Sequence, residues 1–231
     1  MSLALDRTRQ LDVLEQEKHI KYGGDVRAWK DIEAGEVDLR GGLTQETYKS
    51  RTGEVQAGHA TRPEDEQFRW EQWGGLIQRG KRKSLLLTRL RPSMTKQTSP
   101  GPGAIRAAEW EPLAKKHLAG KYVILHTDGA RSYKLAVSGR LHDHVVHQKK
   151  QLVNNGKVVK KKGKVVWVRP QYTKVFSHTL PNGRKLKCKG DTQIIDRFWR
   201  FLRAFFIGRN SRVGSAALNA RVRSAQWAYW S

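Results

Sequence analysis

The sequence predicts an α/β fold: a mixed sheet of about five strands flanked by helices. Three observations predict it. KYVILHTDG (121–129) carries a continuous apolar run from Tyr122 to Leu125, the pattern of a strand buried on both faces. WGGLIQRG (73–80) and SLLLTRL (84–90) are strand candidates joined by KRK, which predicts a hairpin. DTQIIDRFWRFLRAFF (191–206) places Ile194, Ile195, Phe198, Phe201, Leu202 and Phe205 on one stripe at helical spacing.

The remaining elements follow in order. Within 1–30, Leu3, Leu5, Leu11, Val13 and Leu14 form a helical stripe that YGGD (22–25) breaks. Residues 31–39 alternate as a strand, and 40–68, rich in Gly, Thr, Glu and Arg, read as a loop or insertion. SPGPG (99–103) is a punctuated loop, and 104–118 is helical with Pro112 inside it. The central strand ends at Asp128-Gly129, and a short helix is expected near Ala130. Further strands are expected at 145–148, 165–168 and 173–177. GKVVKKKGKVV (156–166) repeats GKVV around KKK and reads as a basic hairpin. Asp191 or Thr192 can cap the late helix, and a last helix is expected over 215–229. The organisation predicted is an N-terminal helical segment (1–30), a core (31–206) with insertions at 40–68 and 150–190, and a basic C-terminal helix (207–231).

Charge points to the partner. Lys and Arg number 45 against 21 acids, a formal net charge of +24. Residues 119–231 hold 24 Lys and Arg against four acids, Asp128, Asp143, Asp191 and Asp196, a net of +20. Such an excess implies a polyanion, with nucleic acid ahead of an anionic membrane surface. In so basic a half each acid needs a reason, which is either a cap or ion pair, or a metal ion. Cys188 is the only cysteine, which excludes an internal disulfide and a Cys-based zinc cluster. No segment has the length of a signal or membrane-spanning run, so the expectation is a soluble intracellular protein, nuclear in a eukaryote and otherwise cytoplasmic or nucleoid.

Carboxylates at the end of a central strand and on a neighbouring helix can converge on one point. Asp128 and Asp196 are such a pair, and oxygen donors without Cys or His suit Mg²⁺. Two such ions can clamp the attacking and leaving oxygens of phosphoryl transfer. Plainer readings stand beside this. Asp128 before Gly129 can be a turn residue, and Asp196 with Arg200 at i,i+4 can be a surface pair. Glu36 and Asp38 alternate with Val37 and Leu39 as an exposed strand face would. HDHVVH invites a zinc reading, but His142, His144 and His147 do not share one strand face.

ILHTDGARSYK (124–134), VVHQKK (145–150) and GDTQIIDRFWRFLR (190–203), with WEQWGGLIQRG and IEAGEVDL before them, resemble the DDE-type transposase domain of the ISXO-like insertion-sequence group. The similarity covers most of the chain, residues 31–203. It implies a ribonuclease H-like, integrase-like core that cleaves and transfers DNA strands with Mg²⁺ or Mn²⁺. The resemblance puts the second carboxylate at Asp128 and the third at Asp196, which Thr192-Gln193 precedes and Trp199 follows, with Asp where Glu is usual. His147 matches a histidine downstream of the second acid. Gly35 falls where the first catalytic Asp belongs. On a strand Glu36 points away from the face of residue 35, so a bulge would be needed to bring it in as a substitute. The Cys-rich ribbon and helix-turn-helix that often precede this domain are not found, so the expectation is a truncated or decayed copy with impaired activity.

The alternative is a catalytically inactive, basic nucleic-acid-binding protein of transposase descent. Lys160, Lys161, Lys162, Lys164, Lys185, Lys187 and Lys189, with Arg200 and Arg203, would contact DNA phosphates in either case. Self-association into a homo-oligomer is left open.

Overall fold

The computed structural model describes residues 2–43, 67–96, 99–147, 149–206 and 213–231. Its elements are α1 (Leu3–Glu17), β1 (Lys30–Leu43), β2 (Gln67–Gln78), β3 (Leu86–Arg89), β4 (Ser93–Lys96), α2 (Ala107–Leu118), β5 (Val123–Thr127) and β6 (Arg140–His144). The short strands β7 (Lys150–Gln151), β8 (Val153–Asn154), β9 (Lys157–Val158), β10 (Lys160–Lys161), β11 (Lys164–Val165) and β12 (Trp167–Val168) follow. The chain ends with β13 (Lys174–Thr179), β14 (Lys185–Gly190), α3 (Gln193–Phe205) and α4 (Ala216–Trp230).

The fold is α/β, as expected. One mixed sheet has the order β3-β2-β1-β5-β6, with β4 also paired to β2. β1, β2 and β3 are antiparallel neighbours, whereas β5 lies parallel to both β1 and β6. The apolar run predicted a central strand because β5 is covered on both faces, and all five of its residues are buried.

Alternation along β1 sorts the core into two layers. Ile32 and Ala34 face α2, where Trp110, Ala114, Leu118, Val123, Leu125 and Tyr133 complete one buried cluster. Val37 faces the other way, toward Ile195, Phe198, Trp199 and Leu202 of α3. Val13 of α1 and Leu218, Val222, Ala225 and Trp230 of α4 close that second cluster. Both terminal helices therefore contribute to the core on the α3 side of the sheet.

Three local expectations are corrected. The strand placed at 145–148 lies earlier, at Arg140–His144, because its inward groups are polar and pair with side chains of β5. The short helix near Ala130 is one 3₁₀ turn, Arg131–Lys134. The GKVV repeat makes two hairpins, β8–β9 and β10–β11, not one around KKK. Each turns on a residue pair with positive φ, Asn155-Gly156 and Lys162-Gly163, the geometry of a tight two-residue turn. A third ladder, β7–β12, joins them. Leu152, Val159 and Val166 then close a ring of backbone hydrogen bonds, from Leu152 N to Val166 O, Val159 N to Leu152 O and Val166 N to Val159 O, at 2.8–3.0 Å.

Gly35 and Gly75 are direct partners across β1 and β2. Together they leave a notch on the α3 face, and Trp199 fills it. A Cβ on Gly75 would sit 2.8 Å from the Trp199 ring, and one on Gly35 would sit 3.3 Å from the Trp199 Nε1 and from Ile195 Cγ2. The neighbouring Gly74 faces the opposite layer, where a Cβ would meet Ile105 and Leu90 at an ordinary 3.6 Å. Gly75→Ala should therefore destabilise the chain by about 1–3 kcal/mol through overpacking, while Gly74→Ala should leave stability unchanged or raised. Urea denaturation of the two variants checks this. Equal losses would show that the Trp199 notch does not govern the packing.

Candidate carboxylate site on the central sheet

Helix α3 owes its placement to a residue far away in sequence. Thr192 precedes its first turn but makes no side-chain cap. Instead the buried Glu33 on β1 accepts hydrogen bonds from Ile194 N (2.8 Å) and Ile195 N (3.0 Å). A carboxylate at a helix N-terminus satisfies free amides and complements the helix dipole. Arg79 pairs with Glu33 at 2.8 Å and with Asp191 at 2.6 Å, and it also donates to the carbonyls of Lys189 and Asp191. Burial pushes the Glu33 carboxyl up, opposed by the Ile195 amide and by Arg79. Glu33 is thus a structural acid, and Asp191 is its partner through Arg79.

Glu36 lies on the other face, turned by ordinary alternation. The β1–β2 register runs unbroken from Ile32 to Arg40, so no bulge is involved. Glu36 therefore stays on the face away from residue 35, as alternation predicts, without the bulge that would bring it across, and the geometry changes the meaning of Gly35. A side chain at 35 would point into Ile195 and Trp199, beneath α3. The Glu36 carboxylate accepts hydrogen bonds from the Tyr133 hydroxyl and from Ile105 N, the latter at 3.3 Å. Burial pushes Glu36 up to about 7, the Asp128 and Asp38 carboxylates add to the rise, and the two hydrogen bonds oppose it. The Tyr133 hydroxyl is raised well above its ordinary value by its own burial and by Glu36.

Asp128 follows the end of β5, is exposed, and accepts from Ala130 N at 3.1 Å. The turn role read from Asp-Gly is therefore present, and it uses one oxygen. Asp196 sits in the first turn of α3 and accepts from the Thr192 hydroxyl at 2.8 Å. Burial pushes Asp196 up. Thr192, His147 and Arg203 counter this, and Asp128 adds to the rise. Asp196 and Arg200 make no ion pair, so the i,i+4 surface-pair reading fails. Asp38 bonds Gln72 Nε2 at 3.4 Å. Its carboxyl is raised by burial against Gln72 and Arg203. The Asp128 charge thus acts on both Glu36 and Asp196, and the Asp38 charge acts on Glu36.

The other anticipated residues divide. His147 lies close enough to lower Asp196, its ring is 5.1 Å from Tyr172, and its Nε2 is buried without a hydrogen-bond partner among the described residues. Trp199 is a core residue in the Gly35–Gly75 notch, and its indole N–H has no hydrogen-bond partner among the described residues. Gln193 and Arg200 are exposed on α3, and so is Arg203. Lys160, Lys161 and Lys164 lie exposed on the small hairpins, and Lys162 forms a turn tip. Lys185, Lys187 and Lys189 alternate along the outer face of β14. Of the HDHVVH histidines, His142 and His144 stack at 5.9 Å between ring centroids while His147 packs on Tyr172; His142 bonds the Thr127 hydroxyl at 2.9 Å, and burial, Arg140 and His144 lower it to about 4.

Sequence reasoning missed a second polar cluster. His126 of β5 is fully buried, with Nε2 2.8 Å from Asp31 and Nδ1 2.6 Å from Asp143. Asp143 in turn meets His178 Nε2 at 3.1 Å and Cys188 Sγ at 3.3 Å. The signal was faint but present. Asp143 is one of four acids in the basic half, and His178 and Cys188 sit at alternate positions of strands read as merely basic.

The Glu36 environment has a testable sign. Its folded pKa, about 7, lies above the usual carboxyl value of 4.5, so the folded state binds the proton more tightly than the unfolded chain does. The stabilisation this gives is complete below pH 4.5 and is lost as pH rises through 7. In chelator, Glu36→Gln should therefore raise the melting temperature by about 2–4 °C at pH 8 and give no gain at pH 4.5. A loss of equal size at both pH values would contradict the burial and charge argument.

No protein-family model, no curated protein and no solved structure matches this chain, so its functional reading rests on these residues and their geometry.

Proposed function

We propose that the chain is a DNA-binding domain of the DDE transposase type, built on a ribonuclease H-like sheet, with Glu36, Asp128 and Asp196 as its carboxylate set. Glu36 takes the first position in place of the residue at 35. The observation that carries this reading is electrostatic. In a chain of net charge +24, none of these three acids has a cationic side chain within 4 Å among the described residues, and the Asp128 charge raises both of the others. Asp143 and Asp191, the other two acids of the basic half, are both paired. The strand order supports the fold half of the reading: three antiparallel strands followed by two parallel ones, with Glu36 and Asp128 on or just beyond neighbouring strands.

The donor set fits a hard cation, since it offers carboxylate oxygens only. Glu36, Asp128 and Asp196 would hold Mg²⁺ or Mn²⁺. Bound there, the ion would acidify a coordinated water or hydroxyl and neutralise charge on a phosphodiester. The chain supplies the rest. Glu33 and Arg79 fix the first turn of α3 and hence Asp196. Tyr133 and Ile105 N orient Glu36. Lys185, Lys187 and Lys189 offer a row of phosphate contacts, and the half-exposed Trp167 and Tyr172 offer stacking faces among the neighbouring lysines.

A second reading, DNA binding without chemistry, is favoured by one observation. Glu36 already has its oxygens engaged by Tyr133 and Ile105, and Glu36, Asp128 and Asp196 do not bring donor atoms within 4.8 Å of one another. An impaired catalyst accommodates the same fact. The two readings separate in one assay series. Slow nicking of plasmid DNA in Mn²⁺, lost in Asp128→Ala and Asp196→Ala while DNA affinity is kept, is the expected result. Steep salt dependence of affinity with no nicking in any divalent metal would leave the binding role alone. Replacing Lys185, Lys187 and Lys189 together should reduce the slope of log affinity against log salt by about 3. A slope near zero in the unmodified chain would overturn both.

A further inference from the structure

We infer that Asp143, His178 and Cys188 form a divalent-metal site of zinc type, which fastens the β13–β14 hairpin to the edge strand of the central sheet. This site lies apart from the carboxylate set and does not depend on the function proposed above.

Its donors come from two parts of the fold. Asp143 belongs to β6, whereas His178 and Cys188 belong to β13 and β14. Within the hairpin, His178 is paired with Leu186 and Cys188 with Phe176, so both side chains share the inner face. Lys185, Lys187 and Lys189 take the outer face. One donor atom from each of Asp143, His178 and Cys188 lies within 4.8 Å of the other two. A tetrahedral zinc ion with ordinary bond lengths separates such oxygen, nitrogen and sulfur donors by about 3.3–3.6 Å. The Asp143 oxygen is 3.1 Å from His178 Nε2 and 3.3 Å from Cys188 Sγ, close to those separations, and the nitrogen and sulfur lie within 4.8 Å of each other.

The surroundings are those of a built site. The second Asp143 oxygen is held by His126 Nδ1 at 2.6 Å, and His126 Nε2 is held by Asp31 at 2.8 Å. Outer partners of this kind orient a ligand and tune its basicity. Gly190 lets the hairpin close on Asp143, because a Cβ there would sit 2.6 Å from the Asp143 Oδ1 and from the Phe176 ring. The donor chemistry selects the ion: thiolate and imidazole disfavour Mg²⁺ and Ca²⁺ and suit Zn²⁺. On binding, the Cys188 thiol gives its proton to solvent and its sulfur bonds the metal as thiolate. Three protein ligands leave the fourth position to water, which reaches the half-buried His178 and Cys188.

The test uses the full chain, stripped with chelator and titrated with Co²⁺ and with Zn²⁺. Co²⁺ should give a thiolate-to-metal charge-transfer band, bleached by about one equivalent of Zn²⁺. Cys188→Ser should abolish the band, and His178→Ala should weaken Zn²⁺ binding more than about 100-fold, beyond the 10–100-fold typical of outer-shell changes. His19→Ala, at an exposed surface histidine, should bind as the unmodified chain does. Far-UV circular dichroism of each stripped variant establishes that it is folded. A cobalt complex without a thiolate band, or unchanged Zn²⁺ affinity in folded Cys188→Ser, would overturn the site.

Discussion

The buried carboxylate of Glu33 is the constraint on which the rest of the structure depends. It lies on the central strand, yet it caps a helix that begins 160 residues later in the chain, through Ile194 N and Ile195 N. Arg79, on the chain just after β2, balances its charge and extends the tie to Asp191. A buried ion pair is not a free gain, because both charges lose water. Here the remaining valences are satisfied by helix amides and backbone carbonyls, so the pair stands fully bonded. What it confers is register: α3 can begin at only one place on the sheet. That fixes Ile195 and Trp199 against the sheet and leaves Asp196 at the side where Asp128 emerges.

The two glycines facing α3 follow from the same register. Once the helix is pinned at its first turn, Trp199 falls over β1 and β2, and the sheet must recede there. Gly35 and Gly75, paired across the strands, provide the recess. A glycine in mid-strand loses conformational entropy and packs nothing of its own. It persists here because a large indole occupies the place of two side chains. The glycine flanked by carboxylates is therefore explained by packing. Its neighbour Glu36 supplies a carboxylate on the opposite face, where Tyr133 and Ile105 orient it.

How much of this was legible in the sequence depended on where the determining partner lay. The apolar run of β5 and the stripe of α3 announced themselves because local periodicity reports burial directly. The strand Arg140–His144 did not, since its inward groups are Thr- and His-bonded polar side chains and hydrophobic patterning is blind to them. Periodicity placed Glu36 and Gly35 on opposite faces, as the unbroken register does. Asp128 lies one residue past its strand, where alternation no longer dictates direction. The link from Asp143 to His178 and Cys188 spans 35 and 45 residues, and no local signal marks it. The GKVV repeat was visible, but its turns were not read from Asn155-Gly156 and Lys162-Gly163, which fix two hairpins instead of one.

The four acids of the basic half show how charge excess can be read physically. Where cations crowd a chain, a carboxylate finds a partner unless the fold prevents it. Asp191 finds Arg79 and Lys189, and Asp143 finds His126 and His178. Asp128 and Asp196 find hydrogen-bond donors but no cation within 4 Å among the described residues. Glu36 joins them from the first half of the chain, raised to about 7 by burial and by Asp128. The Asp128 charge raises both Glu36 and Asp196, a repulsion that persists in a chain with 45 basic side chains, although His147 and Arg203 offset it at Asp196. The fold thus pairs two acids of the basic half with cationic side chains and, among the described residues, leaves the other two on hydrogen bonds alone, a contrast that net charge by itself does not produce.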